Sequence, residues 1–251
     1  MPMGLTIPST EETFIEWGGH RIPFMIIKER RRSIRVAFGN KKITLRLPLI
    51  LSAETKSRHI EKSKNWAIDQ LKIKPGLIQQ FLIKTYSHGQ WISIYGRKYL
   101  LSLNYHDKKL NRAQIKGQLL ELHLSTELHD HQKPEIIRYL LSRAIANDCY
   151  GSIEDRVKEL NEQHFMQPIQ QVRLKLNQSN WGSCSSKNNI NLSARLLFAP
   201  QAVIDYVIIH ELAHLIEHNH SARYWALVEK VMPEYKKHDA WLSTHSHLCE
   251  F

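Results

Sequence analysis

His210 and His214 stand four residues apart in the run His210-Glu211-Leu212-Ala213-His214. On an α-helix that spacing puts both imidazoles on one face, one turn apart. Two ring nitrogens can then approach a single zinc ion at roughly 2.0–2.1 Å. Glu211, beside the first histidine, is placed to act on a water that the metal activates, which is the geometry of a general base in metal-assisted hydrolysis. A catalytic zinc site ordinarily takes three protein ligands and leaves one position open. His220, six residues past His214, is the preferred third ligand, provided that the helix ends before it and the chain turns back. His218, Glu229 and His238 are alternatives. Two histidines and a glutamate at the end of an apolar helix, Val203-Ile204-Asp205-Tyr206-Val207-Ile208-Ile209, are costly to bury without a metal or another partner.

These residues need a frame. Pro200 opens a helix expected to run to about Glu217, and Ser221 can cap the next one, which should end near Pro233. Upstream, apolar spacing predicts a long helix from Pro134 to about Gln163 and another from Glu54 to about Leu71. Between the long helix and the histidines, Val172–Leu176 and Ile190–Leu196 read as paired strands joined by a loop carrying Trp181-Gly182-Ser183-Cys184. Ile190–Leu196 is a candidate edge for an extended peptide. The front of the chain is strand-rich: a hairpin over 14–27 with a Gly18-Gly19 turn, strands at Ser33–Phe38 and Ile43–Leu47 turning at Gly39-Asn40, and further strands at Trp91–Ile94, Tyr99–Leu103 and Gln118–Leu124. A polar stretch, Ser125 to Pro134, reads as a linker, which divides the chain into a strand-rich region, 1–125, and a catalytic region, 134–251. No internal repeat is visible.

At 251 residues and 42% hydrophobic, the chain can bury a core of ordinary size. No apolar run is long enough for a transmembrane helix, and the acidic start, MPMGLTIPSTEETF, carries no secretory pattern. Three cysteines, Cys149, Cys184 and Cys249, are too few for a disulfide framework, so a cytoplasmic setting without membrane partners is expected. The net charge of +11 is uneven: Lys28, Arg30, Arg31, Arg32, Arg35, Lys41, Lys42 and Arg46 cluster with only Glu29 opposing them. Such a cluster attracts phosphate, and Arg30, Arg31, Arg32, Arg35, Lys41 and Lys42 are candidate nucleic-acid contacts; a solvated basic face is the plainer account.

Trp181-Gly182-Ser183-Cys184-Ser185, Leu192, Arg195, Ala199-Pro200, Asp205-Tyr206-Val207, the histidine motif, His220-Ser221, Tyr224-Trp225, Met232-Pro233-Glu234-Tyr235 and Trp241-Leu242 follow one another in an order and spacing that resemble the YgjP-like metallopeptidases, relatives of the SprT-like and WLM zinc proteases. More loosely, Arg31-Arg32-Ser33-Ile34, Pro48, Trp66 and Tyr95-Gly96-Arg97-Lys98-Tyr99-Leu100 extend the resemblance forward. It implies His210, His214 and His220 as zinc ligands and Glu211 as the catalytic residue. Asn180, Ser193 and Ala194 stand where the family commonly has a basic residue, Asn and Trp. Trp181, Arg195 and Tyr224 are candidates to contact substrate, and Tyr206, Tyr224 and Arg195 to stabilise an oxyanion.

The expectation is therefore an α+β protein. A strand-rich N-terminal region precedes a zincin-like catalytic domain, with its histidine helix packed on a small sheet. Its activity would be zinc-dependent hydrolysis of peptide bonds in a protein or peptide substrate. The rival is a nucleic-acid-associated protein with structural zinc, or a protease of DNA-linked proteins that uses the basic region. Oligomeric state is not legible.

Overall fold

The computed structural model describes residues 9–39, 41–81, 84–130, 132–177 and 179–251. Asn40 and His131, parts of the expected Gly39-Asn40 turn and polar linker, lie outside them. The chain divides after Ile83 into two compact units. The division expected between 125 and 134 therefore differs from the observed one, for a physical reason. The second group of strands shares one continuous core with the helices that follow it.

In the first unit, β1 (Ser9–Trp17) and β2 (His20–Glu29) form an antiparallel hairpin. Gly18 and Gly19 close it with φ of 56° and 77°, the left-handed pair that a tight two-residue turn requires. β3 (Arg35–Phe38) and β4 (Ile43–Pro48) form a second hairpin, and β4 lies parallel to β2, giving the order β1-β2-β4-β3. Period-two alternation turns Ile22, Phe24, Ile26, Ile43, Leu45 and Leu47 to one face. Helix α1 (Ala53–Ile73), capped by Ser52 accepting from the Thr55 N–H, covers that face with Ala67 and Leu71.

The second unit begins with the same arrangement. β5 (Trp91–Ile94) pairs antiparallel with β6 (Arg97–His106), β6 lies parallel to β8 (Leu119–Ser125), and β7 (Arg112–Lys116) pairs antiparallel with β8. The order β5-β6-β8-β7 repeats that of the first sheet, including a two-residue turn with both φ positive, Tyr95-Gly96. Helix α2 (Lys133–His164) follows, as α1 follows the first sheet. The chain thus repeats a topology that it does not repeat in sequence, because alternation and turn geometry specify a hairpin with many different residues.

Beyond α2 the second unit adds a three-stranded sheet of order β10-β11-β9, from β9 (Gln171–Lys175), β10 (Gly182–Cys184) and β11 (Asn189–Ser193). Two expectations change here. Residues 182–184 form an edge strand within the expected loop, and β11 is the central strand, flanked by β10 and β9, so it offers no free edge. It also stops at Ser193, whose hydroxyl caps a 3-10 helix over Ala194–Phe198.

Helix α3 (Gln201–Ala213) packs against α2, β10 and β11 and is followed by α4 (Ala222–Val231) and α5 (Tyr235–His245). α3 is apolar almost all round, as a helix enclosed on several sides must be. Its one acidic core residue before the histidines, Asp205, receives Arg156 of α2 in a two-point pair, Nε at 2.9 Å and Nη2 at 2.7 Å, plus Gln201 Nε2 at 2.8 Å. The helix ends at Ala213 rather than near Glu217, as its last amides tighten onto carbonyls three residues back. Among the described residues no helix is long and apolar enough to cross a membrane.

Candidate metal centre

The early end of α3 brings the histidines together. His210 lies in the final turn and His214 is the C-capping residue. The chain then turns through Glu217–Asn219, and the Ser221 hydroxyl accepts from the Tyr224 N–H to start α4. His220, just before that cap, is held over the end of α3. Its Nε2 is 3.1 Å from His210 Nε2, and one ring nitrogen from each of His210, His214 and His220 lies within 4.8 Å of the others. His218 and Glu229 are exposed outside this cluster, and His238 lies by Tyr206, with ring centroids 6.4 Å apart.

The surroundings orient the rings. His214 Nδ1 is 3.1 Å from the Glu217 carbonyl; since a carbonyl only accepts, Nδ1 carries the hydrogen and Nε2 is left with its lone pair free. The Tyr224 ring stacks on His214 at 4.5 Å, and its hydroxyl donates to the His210 carbonyl at 2.9 Å. Trp225 lies beside His220, with centroids 5.6 Å apart, and stacks on Tyr235 at 5.2 Å. Burial, reinforced by its two histidine neighbours, pushes the His210 imidazole down to about 4. Burial likewise lowers His214. Both rings are therefore neutral at neutral pH, the form that ligates a metal.

Glu211, the next residue after His210, turns its side chain toward β10 and is 4% exposed. Burial raises its carboxyl to about 8, against the opposing effect of a hydrogen bond from the Cys184 N–H. The Cys184 thiol, near this carboxylate and partly enclosed, is raised to about 11 chiefly by burial, so it is not a reactive thiolate.

Other candidates are placed differently. Arg195 lies over the Trp181 ring at 4.5 Å and turns to the C-terminal segment, donating to Cys249 O at 2.9 Å and Ser246 O at 3.2 Å and pairing with Glu250 at 2.9 Å. Tyr224 is fully buried and its hydroxyl donates to the His210 carbonyl, so it braces the end of α3. Tyr206 donates to Asp239 at 3.1 Å. In the first unit, Arg30, Arg32, Arg35 and Lys42 are exposed and Lys41 is half-buried. Arg31 pairs with Glu29 at 3.0 Å and donates to the Ser33 carbonyl. Arg46 also pairs with Glu29, at 2.8 Å. Sequence reading missed the part played by Gly182 and by the Cys184 N–H. The Trp-Gly-Ser-Cys run was visible, but nothing in it points to Glu211.

The profile of the YgjP-like family, described as a metallopeptidase domain, matches residues 30–245. The chain belongs to this family. Among solved structures, the chain is similar to the metallopeptidase zymogen of Pyrococcus abyssi abylysin, with 28% identity, 37% of this chain and 93% of that one covered, and a TM-score of 0.34. It is also similar to the zymogen of Methanocaldococcus jannaschii jannalysin, at 19% identity, 37% and 95% coverage, and a TM-score of 0.34. No curated protein matches. Membership in a metallopeptidase family implies a divalent metal, and the donor set fits one. Three imidazoles converge, two of them with lowered basicity and one with its tautomer fixed by a carbonyl. The family match does not favour a nucleic-acid-binding role for the basic cluster.

Proposed function

We propose that the protein is a zinc peptidase in which His210, His214 and His220 hold the ion and Glu211 is the general base. One observation carries the reading: three ring nitrogens gathered within 4.8 Å at the end of α3, with a buried carboxylate on the adjoining residue. Three nitrogen donors suit zinc. The ion supplies a positive charge that makes water more acidic and polarises the amide carbonyl.

The chain's own groups do the rest. Glu217 O and Tyr224 fix the His214 ring, and Tyr224 also ties the His210 backbone. Their partners are in place before substrate arrives, which limits reorganisation. Glu211 takes the proton of the water that attacks the amide carbon. It returns that proton to the leaving nitrogen as the C–N bond breaks. The enclosed site of Glu211 favours holding that proton between the two steps. The strand that receives an extended peptide is β10, because it is the edge nearest Glu211, whereas β11 is covered on both sides. The zincin-like unit is then the helices and small sheet of residues 134–251.

The test is metal analysis of protein purified without chelators, together with hydrolysis of fluorescein-labelled casein. One zinc per chain is expected, with Glu211→Gln retaining the metal and losing about 10²–10⁴ in rate. A protein that carries no zinc, or a Glu211→Gln variant that cleaves as fast as wild type, overturns the reading.

A further inference from the structure

Gly182 begins β10 and faces the Glu211 side chain. A β-carbon at this position would lie 2.5 Å from Glu211 Oε1, 2.7 Å from Cγ and 2.8 Å from Cδ. Carbon–carbon contact distances of about 3.5–4.0 Å are the favourable ones, so no side chain fits here while Glu211 stays where it is. The backbone of Gly182 is not in the left-handed region, so turn geometry does not call for glycine. Space alone does.

The neighbouring strand leaves little room to escape the clash. Gly182 pairs with Leu192 and Cys184 with Ile190, and both partners are fully buried in the central strand β11. Two residues after Gly182, the Cys184 N–H donates to the same carboxylate. β10 therefore acts on Glu211 twice: the missing side chain at 182 sets how closely the strand approaches, and the amide at 184 sets the direction of the carboxylate.

We infer that Gly182 is a positioning residue for the general base: its lack of a side chain lets β10 close onto Glu211 and fix the carboxylate. A larger residue displaces that carboxylate and leaves the three histidines untouched. The inference rests on the general-base reading above.

A double-mutant cycle tests it. The full chain, loaded with equimolar zinc, is compared as wild type, Gly182→Ala, Glu211→Ala and the double variant. Because Glu211→Ala vacates the space, Gly182→Ala is expected to lower the unfolding midpoint in the Glu211 protein and to change it little in the Glu211→Ala protein. On fluorescein-labelled casein, Gly182→Ala is expected to lose about 100-fold in kcat, the scale of a displacement near 1 Å, with zinc content unchanged. Losses of stability that simply add, or a kcat unchanged by Gly182→Ala while Glu211→Gln is inactive, overturn the positioning role alone. A Glu211→Gln protein that hydrolyses normally overturns the general-base reading instead. If wild type leaves casein intact, the stability cycle still tests the contact: additive losses overturn the inference, and non-additive losses uphold the close approach of β10 to Glu211.

Discussion

The two units begin alike and end differently. Each opens with four strands in the same order, paired antiparallel, parallel and antiparallel, and each sends a helix across the sheet. α1 fully buries only Ser63, Ala67 and Leu71, with Ile60 and Ile68 half-buried beside them on one face. α2 buries residues from Ile137 to Asn161 all along its length, because β9 and α3 are packed on it as well as the sheet. The histidine cluster stands on the layer added behind α2. A sheet with one covering helix is a complete core in itself; a site with desolvated walls needs another layer. The first unit lacks that layer and the second has it.

The sharpest way to break this contrast is at the cluster. His210→Ala should remove a donor, drop zinc content below one per chain and bring hydrolysis to background, while the first unit's fold, read by circular dichroism of the whole chain, is unchanged. Retained zinc and rate would place the chemistry elsewhere. Next in size is the anchor between layers. Asp205→Ala removes the two-point bond between α2 and α3, leaving Arg156 only Glu159 of its own helix, and should cost about 3–5 kcal/mol, measured by urea denaturation, with weaker zinc retention. Were stability lost with zinc affinity unchanged, α3 would not depend on that pair for its position.

A core deletion in the first unit sharpens the comparison from the other side. Leu71→Ala should cost about 2–5 kcal/mol, yet zinc content measured by atomic absorption should stay at one per chain. The smallest effect belongs to the basic surface. Arg30→Ser with Arg32→Ser should change stability by no more than about 0.5 kcal/mol and leave casein hydrolysis unaltered. A fall in rate that depends on added DNA would tie the basic cluster to the reaction after all.

The legible part of the molecule was the part governed by short-range rules. Alternation and glycine turns marked the β1–β2 hairpin, the apolar period marked α2, and Ser221 marked the start of α4. The spacing of His210 and His214 fixed their common helical face, and the structure brings the His220 ring beside them. Less legible were β7, whose Arg112–Lys116 has only Ala113 and Ile115 as apolar residues, and β10, only three residues long. α5 was also missed: Tyr235–His245 is largely polar and only Tyr235 and Leu242 are buried.

By itself the sequence determined which side chains could ligate a metal and which could move a proton, since donor chemistry and helical spacing are local properties. It also carried the family's order of motifs. Tertiary structure alone decided that β11 is central and β10 is the edge, because strand order depends on contacts between distant segments. It decided that Arg195 serves the C-terminal segment and that Tyr224 braces two histidines, because a partner across space leaves no mark on spacing. It likewise brought Gly182 against Glu211, residues 29 positions apart in the chain whose relation is purely one of excluded volume.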